Sequence, residues 1–164
     1  MKYLSNNFNG ESGTPKTSFE VKREGDSLIF SFVAHDSYLY SYSKKNNDDL
    51  WKGCVVEVFL DLGDKDFYYE FEVAPNGATF VAKKFVDHLE FPMNNFFVGF
   101  SKINDKDYEV TMEVDLTKLN ISKKIKYNAF RVENETAKEK SENLFALSPT
   151  FLDTFHVRDK FIEL

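Results

Sequence analysis

Residues 107–116 read DYEVTMEVDL, and the order of polar and apolar side chains in that run decides the fold class. Tyr108, Val110, Met112, Val114 and Leu116 fall on one side of an extended chain; Glu109, Thr111, Glu113 and Asp115 fall on the other. A period of two is what a half-buried antiparallel strand shows. Residues 67–73 repeat it, with Phe67, Tyr69, Phe71 and Val73 alternating with Tyr68, Glu70 and Glu72. The Asn76-Gly77 pair that follows predicts a tight hairpin turn into another strand, ATFVAKKF. Further strands are predicted over 17–23, 27–35, 55–62, 95–103, 126–134 and 143–148, punctuated by Gly25-Asp26, Gly63-Asp64, Asn104-Asp105 and Asn120. No segment sustains a helical period; residues 115–120 suit one short turn and 134–143 a solvated loop. The expectation is an all-β, antiparallel β-sandwich of jelly-roll or immunoglobulin-like type, one domain over residues 17–164. Residues 1–16, largely polar, are expected to form a loosely held N-terminal arm.

The totals agree with one domain. A chain of 164 residues can bury roughly two thirds of its unfolded surface and needs neither disulfide nor metal to hold a core. Its 18 Phe and 8 Tyr must mostly be core, whereas there is a single Trp. A net charge of −6 and the lack of a basic stripe argue against nucleic acid and anionic membranes as partners. Cys54 is the only cysteine, so no intrachain disulfide forms, and its valine neighbours mark it as a small buried hydrophobe. The first ten residues lack the apolar core of a signal peptide, and a cytoplasmic location is expected unless a leader has been trimmed away.

Catalytic signatures are missing: no G-x-S-x-G, H-E-x-x-H, P-loop or strand-borne GxGxxG occurs. His35, His88 and His156 lack partners at metal-ligand spacing, and Ser148 lacks the elbow of a nucleophile. The chain is therefore not expected to be an enzyme. Asp61, Asp64 and Asp66 in the turn DLGDKD are the candidates for a structural calcium, although their spacing differs from an EF-hand loop and a charged hairpin turn is the plainer reading.

Residues 50–64, LWKGCVVEVFLDLGD, hold the lone Trp51 and an isolated Glu57 within an apolar strand. If Val56, Val58 and Leu60 point into the sandwich, then Val55, Glu57, Phe59 and Asp61 point to the opposite face. Trp51 shares the parity of Glu57, so an extended chain places indole and carboxylate on one outer surface. Such a pair suits a sugar, because the ring covers the apolar C–H face of a pyranose and the carboxylate accepts from its hydroxyls. On residues alone a second reading stays open, in which Trp51 plugs the edge of the core and Glu57 pairs with a Lys or Arg.

The run 49–80, DLWKGCVVEVFLDLGDKDFYYEFEVAPNGATF, resembles the family 9 carbohydrate-binding modules, whose pattern sets a Trp ahead of a VE-hydrophobic-F-hydrophobic-D strand and a YYEFEV-x-P-NG hairpin. YNAFRVEN (127–134), ALSPTFLDTFHVRDKFIEL (146–164) and GDSLIFSFVAHDSYL (25–39) are similar to further family motifs in the same order. The resemblance implies a β-sandwich and non-catalytic binding of a mono- or oligosaccharide in a surface groove, with no cofactor required and calcium bound structurally in some members. It implies that Trp51 stacks on the sugar and that Glu57 and Arg131 bond its hydroxyls, with Lys83 or Lys84 as a basic partner and Tyr68 at the rim. The family's second tryptophan falls on Leu147, which removes one stacking face. Two alternatives accompany the resemblance. One is a haem-binding, DOMON-like domain using Met93 or Met112 with His88 or His156 as axial ligands; the other is a sandwich that has lost its ligand.

Overall fold

A computed structural model describes residues 1–164. Thirteen strands follow one another: β1 (Lys2–Tyr3), β2 (Ser5–Asn6), β3 (Thr17–Glu24), β4 (Ser27–Ala34), β5 (Val55–Asp61), β6 (Tyr68–Val73), β7 (Thr79–Lys84), β8 (Leu89–Glu90), β9 (Phe97–Asn104), β10 (Asp107–Asp115), β11 (Lys126–Val132), β12 (Leu144–Ala146) and β13 (Ile162–Glu163). The only helical pieces are three short 3-10 turns, at Leu50–Lys52, Leu116–Lys118 and Arg158–Lys160. One sheet runs β1-β3-β4-β10-β9 and the other β2-β12-β11-β5-β6-β7-β8, with β13 alongside β11. Every pairing is antiparallel. This is the sandwich that the alternating pattern predicts.

The core lies between the sheets. Phe19, Phe30, Phe32, Tyr108, Val110 and Met112 from the smaller sheet meet Val56, Val58, Leu60, Phe71 and Ala129 from the larger. In β10 the predicted alternation is realised: Tyr108, Val110, Met112 and Val114 are buried while Glu109, Thr111 and Glu113 are exposed.

The outer face of the larger sheet differs from a solvent-washed surface. Loops fold over it, and Leu50, Val55, Phe59, Phe80, Phe130, Phe155 and Phe161 form a second apolar layer there. As a result every residue of β5 is buried, whichever face it points to.

Residues 1–16 are not a loose arm. β1 pairs with β3 and β2 with β12, so each makes the outermost strand of a sheet. Asn7 is wholly buried and its amide donates to Thr150 Oγ1 and the Leu152 carbonyl at 2.8 and 2.9 Å. Leu4 enters the inter-sheet core, and the backbone of the two short strands extends each sheet by one strand.

Candidate functional site

The site begins with the register of two neighbouring strands. Glu57 on β5 stands directly opposite Glu72 on β6, and Glu70 lies two residues along β6 on the same face. Their carboxylates converge, with one oxygen from each within 4.8 Å of the others. All three are buried, Glu57 at 3% exposure, Glu70 at 6% and Glu72 at 0%. Apart from a carboxyl–carboxyl contact between Glu70 and Glu72, Glu70 Oε2 and both oxygens of Glu72 have no hydrogen-bond partner.

Removing carboxylates from water favours their protonated forms. Burial, then the charge of Glu70, holds Glu57 well above the usual carboxylate range. Burial, then the charges of Glu57 and Glu70, does the same to Glu72. Burial pushes Glu70 up to about 7, opposed first by a hydrogen bond from Glu72 and then by the Lys84 ammonium.

The triad floors a groove of about 400 Å³ whose walls include Trp51, Phe80, Lys84, Phe91, Phe155 and His156. Trp51 sits half-buried on the 3-10 turn Leu50–Lys52, which fully buried Leu50 anchors to the outer apolar layer. The turn is held tightly. A Cβ on Gly53 would come within 2.7 Å of the Tyr40 carbonyl and the Tyr42 nitrogen, and the Asn134 amide donates to the Gly53 carbonyl at 3.1 Å. Lys52 bridges Asp49 and Glu139 at 3.0 and 3.1 Å, with its ammonium 5.5 Å from the indole. Phe91 is 53% exposed and meets Phe80 edge to face at 5.6 Å. His156 stacks on Phe59 and shares a 2.6 Å hydrogen bond between its Nδ1 and the Tyr68 hydroxyl. The residue keeps an exposed edge, while the packing of its ring on Phe59 and Tyr68 shifts its pKa downward.

Trp51 and Glu57 thus share one groove, but the other expected site residues lie elsewhere. Arg131 is fully buried between the sheets. Its guanidinium donates twice to Glu133, at 2.8 and 2.6 Å, and once to Thr17 Oγ1 at 2.7 Å. It also donates to the carbonyls of Lys16 and His35. It ties the sheets together and leaves no donor for a ligand. Lys83 faces away, with its ammonium 4.8 Å over the Phe67 ring; its neighbour Lys84 lines the groove. Tyr68 backs the groove from beneath, its ring against Phe59 and Phe161 and its hydroxyl on His156. Leu147 packs on the inter-sheet core.

Asp61, Asp64 and Asp66 do not converge. Arg158 grips both oxygens of Asp61 at 2.8 Å and also donates to the Asp64 carbonyl. The Asp64 side chain accepts from the Asp66 nitrogen. A guanidinium therefore takes the acidic turn, and the acids that do converge are those of the groove floor. The haem-ligand candidates are separated too: Met112 is in the inter-sheet core, Met93 is exposed, and His156 lies beyond the larger sheet. His88 is exposed beside Asp87 and Glu90.

Sequence reasoning did not single out Glu70, Glu72 or Phe91. The parity of YYEFEV puts Glu70 and Glu72 on the outer face, but only the register with β5 sets them beside Glu57. Phe91 has no mark to distinguish it among 18 Phe.

Comparisons with known proteins agree with this architecture. A Bacteroides uniformis protein assigned to carbohydrate binding superposes with a TM-score of 0.79 over 99% of this chain and 84% of its own, at 18% identity. A family 9 module from Caldicellulosiruptor kristjanssonii, solved with glucose, gives a TM-score of 0.68 over 99% and 82% of the two chains at 14% identity. The module solved with cellotriose gives 0.60 over 88% and 71%, also at 14%. An extracellular protein of Arthroderma benhamiae is 38% identical over 72 residues, which is 42% of this chain and 32% of that protein. The chain thus spans about a third of the length of that curated relative. The sequence profile of carbohydrate-binding family 9 matches residues 4–142, and with most of its length so matched the chain belongs to that family.

Proposed function

We propose that the groove over Glu57, Glu70 and Glu72 is a non-catalytic sugar-binding site for a monosaccharide or the end of a short oligosaccharide. The observation that carries this reading is the pairing, in one groove, of the half-buried Trp51 and the exposed Phe91 with a floor of hydrogen-bond acceptors. Aromatic rings cover the C–H face of a pyranose, and carboxylates select its hydroxyls. Phe91 supplies an aromatic wall that does not depend on position 147. Two structural neighbours that share the fold were solved with glucose and with cellotriose, which supports the same ligand class here.

The lone indole makes the test direct. Titration with glucose, cellobiose, cellotriose and a wider sugar panel should change Trp51 emission, and Trp51→Ala should weaken the heat of binding measured calorimetrically. Absence of both signals across the panel would refute the reading.

A further inference from the structure

The lining of the groove holds more acidic groups than a neutral sugar requires. Its lining carries six carboxylates, Asp49, Glu57, Glu70, Glu72, Glu139 and Asp153, against two ammonium groups, Lys84 and Lys140. Lys140 is paired with Asp153 at 2.6 Å. Lys52, just behind the rim, is paired with Asp49 and Glu139. At the floor only Lys84 faces the three buried glutamates, and it forms no ion pair with any of them within 4.0 Å. Glu72 is wholly buried, borders the cavity, and finds no hydrogen-bond partner outside the triad. Burial keeps these carboxyl groups largely protonated, and only a positive charge beside them would let them ionise at little cost. A sugar hydroxyl can bond such an oxygen but brings no charge to offset it.

A cation does bring that charge, and the shape of the site favours an organic one. Calcium takes six to eight oxygen ligands. Here three carboxylates converge, and the neighbouring backbone carbonyls of β5, β6 and β7 belong to the sheet ladder. The cavity, about 400 Å³, is far larger than an ion and has aromatic walls. Three glutamate oxygens gathered within 4.8 Å of one another can all turn toward a single ammonium group.

We infer that the groove selects a sugar bearing a free, protonated primary amine, with the ammonium seated on Glu57, Glu70 and Glu72 and the pyranose ring against Trp51 and Phe91. The inference rests on the sugar-binding reading above and names its ligand class. An N-acetylated amino sugar lacks the charge and forfeits the contact.

Calorimetry on the whole chain at pH 7, with glucosamine, glucose, N-acetylglucosamine and calcium chloride as separate titrants, tests it. Glucosamine should bind about tenfold more tightly than either neutral sugar, and in Glu72→Gln the ratio of glucosamine to glucose affinity should fall toward one. Trp51 fluorescence and a melting curve confirm that the variant is folded. Glucose binding as well as or better than glucosamine would overturn the inference and leave the sugar-binding reading standing. Silence from all three sugars would remove that reading and the inference with it. Displacement of glucosamine by micromolar calcium, at constant ionic strength, would assign the triad to a metal ion and overturn the inference.

Discussion

Replacing Glu70 with glutamine should stabilise the free protein at pH 8 and change it little near pH 4.5. The carboxyl is buried, and burial raises its pKa from 4.5 to about 7. The folded state therefore holds that proton more tightly than the unfolded state does. The sign follows: the stability contributed by this group is fully present below pH 4.5 and is lost as pH rises through 7. At about 1.4 kcal/mol for each tenfold change in proton affinity, the loss amounts to roughly 3 kcal/mol by pH 8. Glutamine keeps the shape without ionising, so the variant escapes this loss. Glu57 and Glu72 are displaced in the same direction by burial and by neighbouring negative charge, so the wild-type slope is at least as steep. Carboxylates elsewhere that titrate below their ordinary range, such as Asp107 beside His35, act equally on both proteins and cancel in the difference. For a chain of this length each kcal/mol moves the melting temperature by roughly 2–4 °C. The variant should then melt about 6–12 °C above wild type at pH 8, with the gap closing toward pH 4.5. Paired melting curves in half-unit pH steps, without ligand, provide the measurement. Parallel curves for the two proteins would refute the argument, since they would mean that Glu70 ionises in the groove without penalty.

Phe91→Ala should weaken sugar binding about 3- to 10-fold by calorimetry, the value of one aromatic contact, while the melting temperature hardly moves because the ring is 53% exposed. Arg131→Met should cost about 3–5 kcal/mol in urea unfolding, because Glu133 is left buried without its ion-pair partner; at a temperature where the variant is folded, sugar affinity should be unchanged. Tyr108→Phe should raise stability by roughly 1 kcal/mol, since the Tyr108 hydroxyl is buried with no partner. A loss of stability in that variant would point to a hydrogen bond made through water.

Two physical facts decide which parts of this architecture the sequence reveals. Strand side chains alternate, so parity is legible wherever one strand can be oriented. Residues 107–116 orient themselves, because one face is buried and the other wet. β5 is harder, as both of its faces are buried, yet the charge on Glu57 is enough to orient it, since an unpaired carboxylate avoids the inter-sheet core. Partnership across strands is a different matter. The convergence of Glu57 with Glu70 and Glu72 depends on the register between β5 and β6, and residues 62–67 between them do not form a two-residue turn of the kind that fixes register from composition. Phe91 follows a two-residue strand that has no pattern to read.

The misplaced residues obey the same rule. Arg131 stands opposite Val56, which faces the inter-sheet core, so its guanidinium had to enter the sandwich. Glu133, Thr17 and two carbonyls are there to receive it. Lys83 stands opposite Tyr69 of the inter-sheet core, and Lys84 opposite Tyr68 of the outer layer. A shift of one residue along a strand reverses the face. That alone sets Lys84, and not Lys83, on the groove side with Glu70, and it takes Arg131 from the ligand to the joint between the sheets.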